Sequence, residues 1–516
     1  MDDNTEILLG NTAVRRRTQP VTGERLLHEG ESWYRISGYD RMDPFFISVV
    51  SGYDHWMFVS STGGLTCGRR NPDHALFPYE TDDRIHDAHA TAGPLTVLRV
   101  HRDGRTHLWE PFRRETGVYR LERHLYKNAV GNRLRFEEIN RDLGLAFDYE
   151  WSCGDRFGFI RRARLRNLGD PAVNVDVLDG LRNVLPAGVT RFLQSTRSTL
   201  IDAYRQAELH EPSGAAVFTL SSIPTDRAEP SEALKATVAW QTGLGNPRPL
   251  LSQDQVEDFR CGQAPWTEDR RLGQRADYLV SATLDLSSGE DRSWYLVADV
   301  DLGQAHVVAL LKDIGAGIDP AELERDIEHG STRLQALVGA ADGFQQTGDA
   351  LKAARHFSNT LFNIMRGGVF PDALTLPRDD FLDFVRTWNH HAVAPFERLL
   401  AELGEGATRA NLVAAVARDG SPDQQRLVME YLPLTFSRRH GDPSRPWNHF
   451  DINLRDEQGH DRLFYEGNWR DIFQNWEALA HSFPSYIESF VARFVNASTP
   501  DGYNPYRINR DGIDWE

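Results

Sequence analysis

From about residue 30 to about residue 310, apolar and polar residues alternate in short runs. The runs are rich in Val, Ile, Tyr, Phe and Trp, and Gly, Asp, Asn and Pro separate them at roughly regular intervals. A period of two with these residue types is typical of half-buried β-strands. A long series of such strands predicts a large antiparallel sandwich. The predicted strands cover residues 33–39, 45–51, 55–61, 95–102, 106–112, 143–151, 158–168, 172–181, 215–223, 237–243, 277–286 and 293–302.

One segment inside this region has a different period. Residues 195–209 carry apolar side chains at helical spacing. We therefore expect a helix to be inserted there between two strands.

After about residue 318 the apolar residues recur three and four positions apart, which is the period of a helix. Asp319 and Pro320 form a capped start with proline in the first turn. The pattern predicts a domain of paired helices over residues 319–338, 349–367, 379–403, 408–420, 422–436, 469–483 and 485–497.

The change of period predicts an α+β multidomain chain. We assign residues 1–315 to an antiparallel β-supersandwich, 316–345 to linker helices, and 346–516 to part of an (α/α)6-type helical barrel. Residues 501–516 are polar, aromatic and loop-like, without a closing helix or strand. On that basis we expect the sequence to stop inside its second domain.

Composition narrows the class of partner. The 516 residues carry a formal net charge of −17, whereas nucleic acid or an anionic membrane calls for a basic surface. The three cysteines lack the spacing of a disulfide framework or of a zinc site. His86 and His89 have no third ligand nearby in the sequence, so we predict no metal site. With no apolar run of signal-peptide or membrane-spanning length, we expect a cytoplasmic protein, and the sequence leaves a homodimer open.

The most informative segment is residues 464–476, FYEGNWRDIFQNW. Asp471 lies beside Arg470, three residues before Gln474 and two residues after Trp469. Sugar-processing sites use this mixture, because flat rings stack on the pyranose, amides and guanidinium groups bind hydroxyls, and a carboxyl group moves the proton. Asp471 is the candidate general acid. The alternative is that the segment is an ordinary aromatic helix start.

A second polar segment, residues 436–450, is broken by proline and carries arginine, histidine and aromatic side chains. Arginine forks suit carboxylates, phosphates and vicinal hydroxyls, and a Trp could form the floor of a sugar site. The alternative is a solvated connection between helices. Together with Trp388, which we expect in a core or pocket wall, the candidate binding residues here are Arg438, His440, Arg445, Trp447 and Asn448.

An N-terminal sandwich, linking helices, and a helical domain carrying Arg470-Asp471-x-x-Gln474 resemble the inverting β-glycoside phosphorylases of the cellobiose phosphorylase type. Residues 48–83 also resemble the divergent N-terminal half of large cellobiose phosphorylase-like proteins. The resemblance implies that Asp471 is the general acid, that Arg470 and Gln474 contact the donor sugar, and that inorganic phosphate is the co-substrate without a further cofactor. The chain departs from the family at Asn468-Trp469 and at Ile472-Phe473, where the family usually has Gly-Phe and a small polar pair.

The implied reaction is phosphorolysis of a β-linked disaccharide or oligosaccharide to an α-sugar 1-phosphate. Phosphate is already an anionic nucleophile, so one carboxyl group suffices, whereas an inverting hydrolase needs a second one about 6.5–9.5 Å away. Hydrolysis stays an alternative, with Asp442, Asp451, Asp511 and Asp514 as candidates for that second group. A non-catalytic carbohydrate-binding role is the third possibility.

Overall fold

The computed structural model describes residues 6–15, 18–28, 30–113, 117–225, 228, 231–437, 450–456 and 459–515. These residues form two compact units. The sheet unit holds the described residues up to Ser331 except Gly52–Asp54, and the helical unit holds Gly52–Asp54 and the described residues from Thr332 onward. The predicted domain bounds stay a prediction.

The strands are named in chain order. They are β1 Leu8–Leu9, β2 Thr12–Ala13, β3 Thr22–His28, β4 Glu31–Ser37, β5 Phe46–Val49, β6 His55–Ser60, β7 Leu65–Arg69, β8 Gly93–Arg102, β9 Arg105–Trp109, β10 Leu121–Asn128, β11 Leu134–Asn140, β12 Leu145–Gly154, β13 Gly158–Asn167, β14 Val173–Val184, β15 Arg205–His210, β16 Ala215–Leu220, β17 Lys235–Thr242, β18 Arg248–Leu250, β19 Arg270–Leu272, β20 Ala276–Leu286, β21 Asp291–Gly303, β22 Glu466–Asn468, β23 Arg507–Asn509 and β24 Ile513–Asp514.

The α-helices are named in the same way. They are α1 Asp82–Ile85, α2 Arg191–Thr196, α3 Ser198–Asp202, α4 Val256–Arg260, α5 Gln304–Ala316, α6 Pro320–Ala340, α7 Ala350–Gly367, α8 Arg378–Trp388, α9 Val393–Leu403, α10 Arg409–Asp419, α11 Pro422–Glu430, α12 Trp469–Ser482 and α13 Ile487–Ala497.

Two antiparallel sheets dominate the sheet unit. One has eleven strands in the order β19-β15-β16-β17-β21-β13-β12-β11-β10-β4-β3, and the other has five in the order β18-β20-β14-β8-β9. Alternate residues of β12, from Leu145 through Phe147, Tyr149 and Trp151, enter one apolar core together with residues of the five-stranded sheet. The alternation seen in the sequence therefore reflects one face turned into this core.

The other face of β12 is polar but still buried. Asp148 and Glu150 lie directly opposite Arg164 and Arg162 on β13. The Arg164 Nε donates to Asp148 over 3.1 Å, and the Arg162 Nη2 donates to Glu150 over 3.4 Å. Cross-strand pairs of opposite charge stabilise a sheet, so these charges are compatible with burial.

An ion pair also crosses the inside of the sandwich. The carboxylate of Asp179 on β14 accepts from Arg161 on β13 at 2.7 Å, from the Trp294 indole on β21 at 2.7 Å, and from the Thr96 hydroxyl on β8 at 2.6 Å. Asp179 and Arg161 are both 0% exposed. Since β14 and β8 belong to one sheet and β13 and β21 to the other, this network links the two sheets.

The predicted fold class is confirmed: antiparallel sheets form the N-terminal part and helices form most of the C-terminal part.

The inserted helix predicted over residues 195–209 is wrong in extent. Two short helices, α2 and α3, lie in this part of the chain, and the second ends at Asp202. Strand β15 begins at Arg205. Its residues pair with β16 across a tight turn, where Gly214 has a φ of +68°. Helix α5 begins before the predicted helical region, directly after β21.

The helical unit is built around the pair α7 and α12. Gly367 at the end of α7 has no side chain, and a Cβ there would meet the Asn475 side chain at 2.9 Å and Trp476 at 3.1 Å. The Trp476 indole donates to the Gly367 carbonyl over 2.8 Å. The absence of a side chain at Gly367 therefore allows the two helices to approach closely, and its carbonyl oxygen accepts a hydrogen bond from a buried indole.

Helices α8–α11 share a second apolar core with Tyr431. The single helix predicted over residues 379–403 is wrong, because α8 ends at Trp388 and α9 begins at Val393. Between them the Asn389 side chain accepts from the His391 N–H and caps a short 3₁₀ turn. Local side-chain capping thus interrupts an otherwise helical pattern.

Residues near the end of the chain form strands, contrary to the prediction of a loop. β23 pairs with β22 on one side and with β24 on the other. Arg510, which follows β23, donates to the Asp380 carboxylate of α8 over 2.9 Å, and Tyr431 donates to the same carboxylate over 2.7 Å. These bonds join the three-stranded sheet to the helices of the same unit.

Candidate active site

Asp471 lies in the first turn of α12, which begins at Trp469 directly after β22. The residue is half-buried, and its Oδ2 atom is buried with no hydrogen-bond partner among the described residues. A buried acceptor without a donor costs about 1–3 kcal/mol, so native structures hold few of them and each requires an explanation. This unpartnered oxygen is the observation that makes the segment a candidate active site.

The aromatic side chains of the same segment lie on another face of α12. Asp471 is two residues from both Trp469 and Phe473, and two residues turn a helix by about 200°. Trp469 stacks on Phe494 of α13 with ring centroids 4.7 Å apart, and Phe473 meets the same ring edge-on at 4.8 Å. These rings therefore fix α12 against α13. A sugar-binding role for Trp469 stays a prediction.

Arg470 and Gln474, the other residues of the predicted motif, are both exposed. Gln474 is three residues after Asp471, which makes the two side chains neighbours on the helix surface. The structure thus brings Gln474 close to Asp471 on the surface of α12, and both residues stay candidates for sugar contacts.

A cleft of about 390 Å³ lies between α7, α12 and the turn that follows α6. Polar side chains of α7 and α12 line much of it. They are His356, Asn359, Thr360 and Asn363 from α7, and Asn475, His481 and Ser482 from α12. Amides and imidazoles can donate and accept at once, which suits the hydroxyl groups of a sugar.

Asn475 connects this cleft with Asp471. It is 7% exposed, its Nδ2 donates to Asn363 Oδ1 over 3.0 Å, and its own Oδ1 is buried without a partner among the described residues. Asp471 and Asn475 are four residues apart, so they share one face of α12 with an axial separation of about 6 Å. Two adjacent side chains on this face therefore each carry an unsatisfied buried oxygen.

Chemically, this face of α12 offers a carboxyl group next to the Asn475 amide, which borders the amide-lined cleft. The carboxyl group can hold or transfer a proton, and the amides can bind hydroxyl groups. Among the residues that the structure describes, no cluster of His, Cys, Asp and Glu is arranged to hold a metal ion.

Trp388, predicted for a core or pocket wall, is half-buried at the end of α8. Its indole donates to the Arg510 carbonyl over 2.9 Å, and the Arg493 guanidinium lies 4.5 Å from the centre of its ring. The ring is thus held between the terminal sheet and α13. Its role in binding a substrate stays a prediction.

The second predicted segment falls outside the described residues. This applies to the candidates Arg438, His440, Arg445, Trp447 and Asn448, and to Asp442 as a second carboxylate.

The other candidates for a second carboxylate are described. Asp511 bonds with Arg510 and lies 3.4 Å from the Arg462 guanidinium, and Asp514 bonds with Arg507. Asp451 is half-buried. Two of the described candidates are therefore held in ion pairs with arginines.

Sequence reasoning missed Asn475, Asn363 and the other amides of the cleft. A signal was present: Asn475 follows Asp471 by four residues, and Asn359 and Asn363 are also four apart within an amphipathic helix. What the sequence could not show is that the two polar faces meet, because α7 and α12 are about a hundred residues apart along the chain.

Comparison with known proteins relates part of the chain to carbohydrate-active families. Residues 370–433, which contain α8–α11, match the family model of glycoside hydrolase family 149 insertion domain 1. A search of curated protein sequences gives no match.

Several solved structures resemble the chain at low identity. A bacterial glucoamylase complexed with acarbose shows 10% identity and a TM-score of 0.30, covering 96% of this chain and 84% of its own. A protein described as a kojibiose phosphorylase from the human microbiome shows 8% identity and a TM-score of 0.25, covering 94% of this chain and 47% of its own. A protein described as an aldose 1-epimerase from Escherichia coli K12 shows 10% identity and a TM-score of 0.29, covering 50% of this chain and 100% of its own. This chain thus spans about half the length of the phosphorylase.

In the described ranges, none of the helices combines the length and the apolar character needed to cross a membrane.

Proposed function

We propose that the chain belongs to a carbohydrate-active enzyme that cleaves a β-linked disaccharide or oligosaccharide by phosphorolysis, with Asp471 as the general acid. The observation that carries the proposal is the buried oxygen of Asp471 in the first turn of α12, which has no hydrogen-bond partner in the part of the chain that the structure describes. The match of residues 370–433 to an insertion domain of a glycoside hydrolase family supports the substrate class.

In the proposed reaction Asp471 gives its proton to the glycosidic oxygen as the bond from that oxygen to the anomeric carbon breaks. A phosphate oxygen forms the new bond to the anomeric carbon from the opposite face, which yields an α-sugar 1-phosphate and a free sugar. The leaving oxygen would supply the partner that the buried Asp471 oxygen lacks within the described ranges. Inorganic phosphate is the co-substrate.

The amide-lined cleft would hold sugar hydroxyl groups next to the acid. Asn475 is the central residue of this step, because it bonds with Asn363 and keeps its own carbonyl oxygen for a hydroxyl donor. A site that orients a ring by several hydroxyls contributes to rate by fixing the scissile bond near the acid.

Hydrolysis on the same architecture is the competing proposal. It needs a second carboxylate to activate water. Among the described candidates for this role, Asp511 and Asp514 are already held in ion pairs with arginines.

The test uses a panel of β-linked glucobioses, each incubated with and without inorganic phosphate. We expect sugar 1-phosphate to form in the presence of phosphate and free sugar release to stop in its absence. Release of free sugar at the same rate without phosphate would establish hydrolysis instead.

Two variants of α12 provide the control. Asp471→Asn should lower turnover by about a thousandfold, because general acid catalysis contributes about 10²–10⁴ in rate. Glu477→Gln removes an exposed carboxylate from the same helix and should leave turnover unchanged. Equal activity of both variants would exclude Asp471 as the acid.

A further inference from the structure

The sheet unit contains a pocket of about 240 Å³ that the proposed reaction does not use. Residues from the segment before β8, from the end of β9 and from β14 line it, all within this unit. Sites for drug-sized ligands usually measure about 300–1,000 Å³, so this volume suits a smaller molecule.

The charges around the pocket do not balance. Among the described residues that line it there are three guanidinium groups, those of Arg113, Arg182 and Arg260, and one carboxylate, that of Glu110. Glu110 is shared, because Arg260 donates to both of its oxygens over 3.2 and 2.8 Å and Arg113 donates to one of them over 2.5 Å. Arg260 also donates to the exposed Glu257 of the same helix, α4, over 3.2 Å. The local excess of positive charge contrasts with the net charge of −17 of the chain.

Arg182 is the group whose charge is least compensated. It is 8% exposed, and its guanidinium donates to the main-chain carbonyls of His89, Ala90 and Pro94. Within the described residues no carboxylate lies within 4 Å of it, and its Nε has no partner.

Burial lowers the pKa of Arg182, partly offset by attraction to Asp277, and the nearby Arg260 lowers the pKa further. A buried cation without a close counter-ion is unfavourable unless another negative group completes the site.

The rest of the wall suits a small ring. Phe112 and Tyr149 meet edge-on with centroids 5.2 Å apart, and Gly63 leaves room beside the Tyr149 hydroxyl, which a Cβ at that glycine would meet at 3.4 Å. Phe112 has a φ of +65°, a conformation that costs free energy for a bulky residue and that clusters at ligand sites. Its N–H donates to the buried Glu138 over 3.0 Å, which holds it in place.

We propose that this pocket binds a monosaccharide-sized ligand that carries an oxyanion. The aromatic and hydroxyl groups contact the ring, and Arg182 and Arg260 attract the anion. A carboxylate on the sugar and a phosphate ester share this chemistry, since planar guanidinium groups bind both.

Binding to the full chain is measured by calorimetry with four probes: glucuronate, glucose 6-phosphate, inorganic phosphate and glucose. Glucuronate and glucose differ only at C6, so their comparison isolates the charge. We expect an anionic sugar to bind at least about tenfold more tightly than glucose, as charge-assisted hydrogen bonds contribute more than neutral ones. The stronger of the two anionic sugars identifies the source of the oxyanion, and tighter binding of phosphate alone would overturn the sugar part of the proposal.

Two variants with opposite expected signs separate this effect from misfolding. Arg260→Gln should weaken binding of the anionic sugar about tenfold, and Glu110→Gln should strengthen it, because it removes the negative charge that competes with the ligand. Loss of the fold cannot produce tighter binding. Glu208→Gln, an exposed residue of β15, is the control and should change nothing.

Equal affinity for glucuronate, glucose 6-phosphate and glucose, or no response to either pocket variant, would overturn the proposal. Neither result would test the proposed role of Asp471 as general acid, because that role is measured by turnover.

Discussion

Asp179 in the sheet unit and Asp471 in the helical unit both have buried carboxylate oxygens, but the two carboxylates differ in the hydrogen bonds they accept. Three donors reach the carboxylate of Asp179, from Thr96, Arg161 and Trp294. One oxygen of Asp471 is buried and receives none among the described residues. A satisfied buried carboxylate stabilises a particular packing of the chain, whereas an unsatisfied one is retained for another reason.

A second pair of buried polar residues, Glu138 of the sandwich and Asn475 of α12, shows the same contrast. In the sandwich, Glu138 accepts from the Trp109 indole over 2.8 Å and from Arg123 over 2.6 Å. On α12, the carbonyl oxygen of Asn475, next to Asp471, has no donor among the residues that the structure describes. Adjacent unsatisfied acceptors on one helix face are what a binding face for hydroxyl donors requires. The comparison therefore contrasts satisfied polar groups of the sandwich with the candidate functional groups of α12.

The largest expected effect is on stability at Asp179. Asp179→Ala leaves Arg161 buried without its partner, and we expect the free energy of unfolding to fall by about 3–5 kcal/mol. Asp471→Ala removes a group whose buried oxygen has no donor among the described residues, so we expect the free energy of unfolding to stay the same or to rise slightly. Urea unfolding followed by tryptophan fluorescence measures both. A larger loss at Asp471 than at Asp179 would break the comparison.

A smaller effect is expected at Asp277, a third buried carboxylate of the sheet unit. Burial raises its pKa to about 6, although the Asn183 N–H donates to it over 2.6 Å. Because the native state keeps this proton to higher pH than the unfolded state, the carboxyl group favours folding most below about pH 4. That contribution is lost as the pH rises through about 6.

Asp277→Asn should remove this dependence and raise the free energy of unfolding at pH 7 by about 3 kcal/mol. Unfolding curves of both proteins at pH 4 and pH 7 check this. A gain that is as large at pH 4 as at pH 7 would show that ionisation of Asp277 is not its cause.

The smallest effect is expected at Asn475. Asn475→Ala removes one hydroxyl-binding amide and its bond to Asn363, and we expect KM to rise about tenfold with kcat changed less. Gln425→Ala, at an exposed amide of α11 that does not line the cleft, is the control. An unchanged KM would remove the cleft from the substrate-binding surface.

The fold class could be predicted because most core strands alternate in a way that needs no knowledge of their partners. Strands β10 and β11, with the sequences LERHLYKN and LRFEEIN, were not predicted although they lie within the eleven-stranded sheet. Most of their charged residues are buried; Glu137, for example, accepts from Tyr126 across the two strands and bonds with Arg166. A single sequence shows the charge but not the partner that makes its burial possible.

The candidate site was predictable only in part, for a related reason. The position of Asp471 at a helix start followed from local residues, and the helix begins at the predicted Trp469. The sequence predicts that the aromatic rings of this segment lie in a sugar site with the carboxyl group. Their spacing of three and four residues places Trp469, Phe473 and Trp476 on one face of α12, against Phe490 and Phe494 of α13. Which helix covers which face depends on tertiary packing, which local periodicity does not contain.

The central claim, that Asp471 protonates the leaving oxygen, is tested most directly by changing the leaving group. With phosphate present, the wild-type chain and Asp471→Asn are compared on a glucobiose and on a dinitrophenyl β-glucoside, whose leaving group departs without a proton. The account predicts that Asp471→Asn loses about a thousandfold in turnover of the disaccharide but less than about tenfold on the aryl glucoside. An equal loss on both substrates would contradict it.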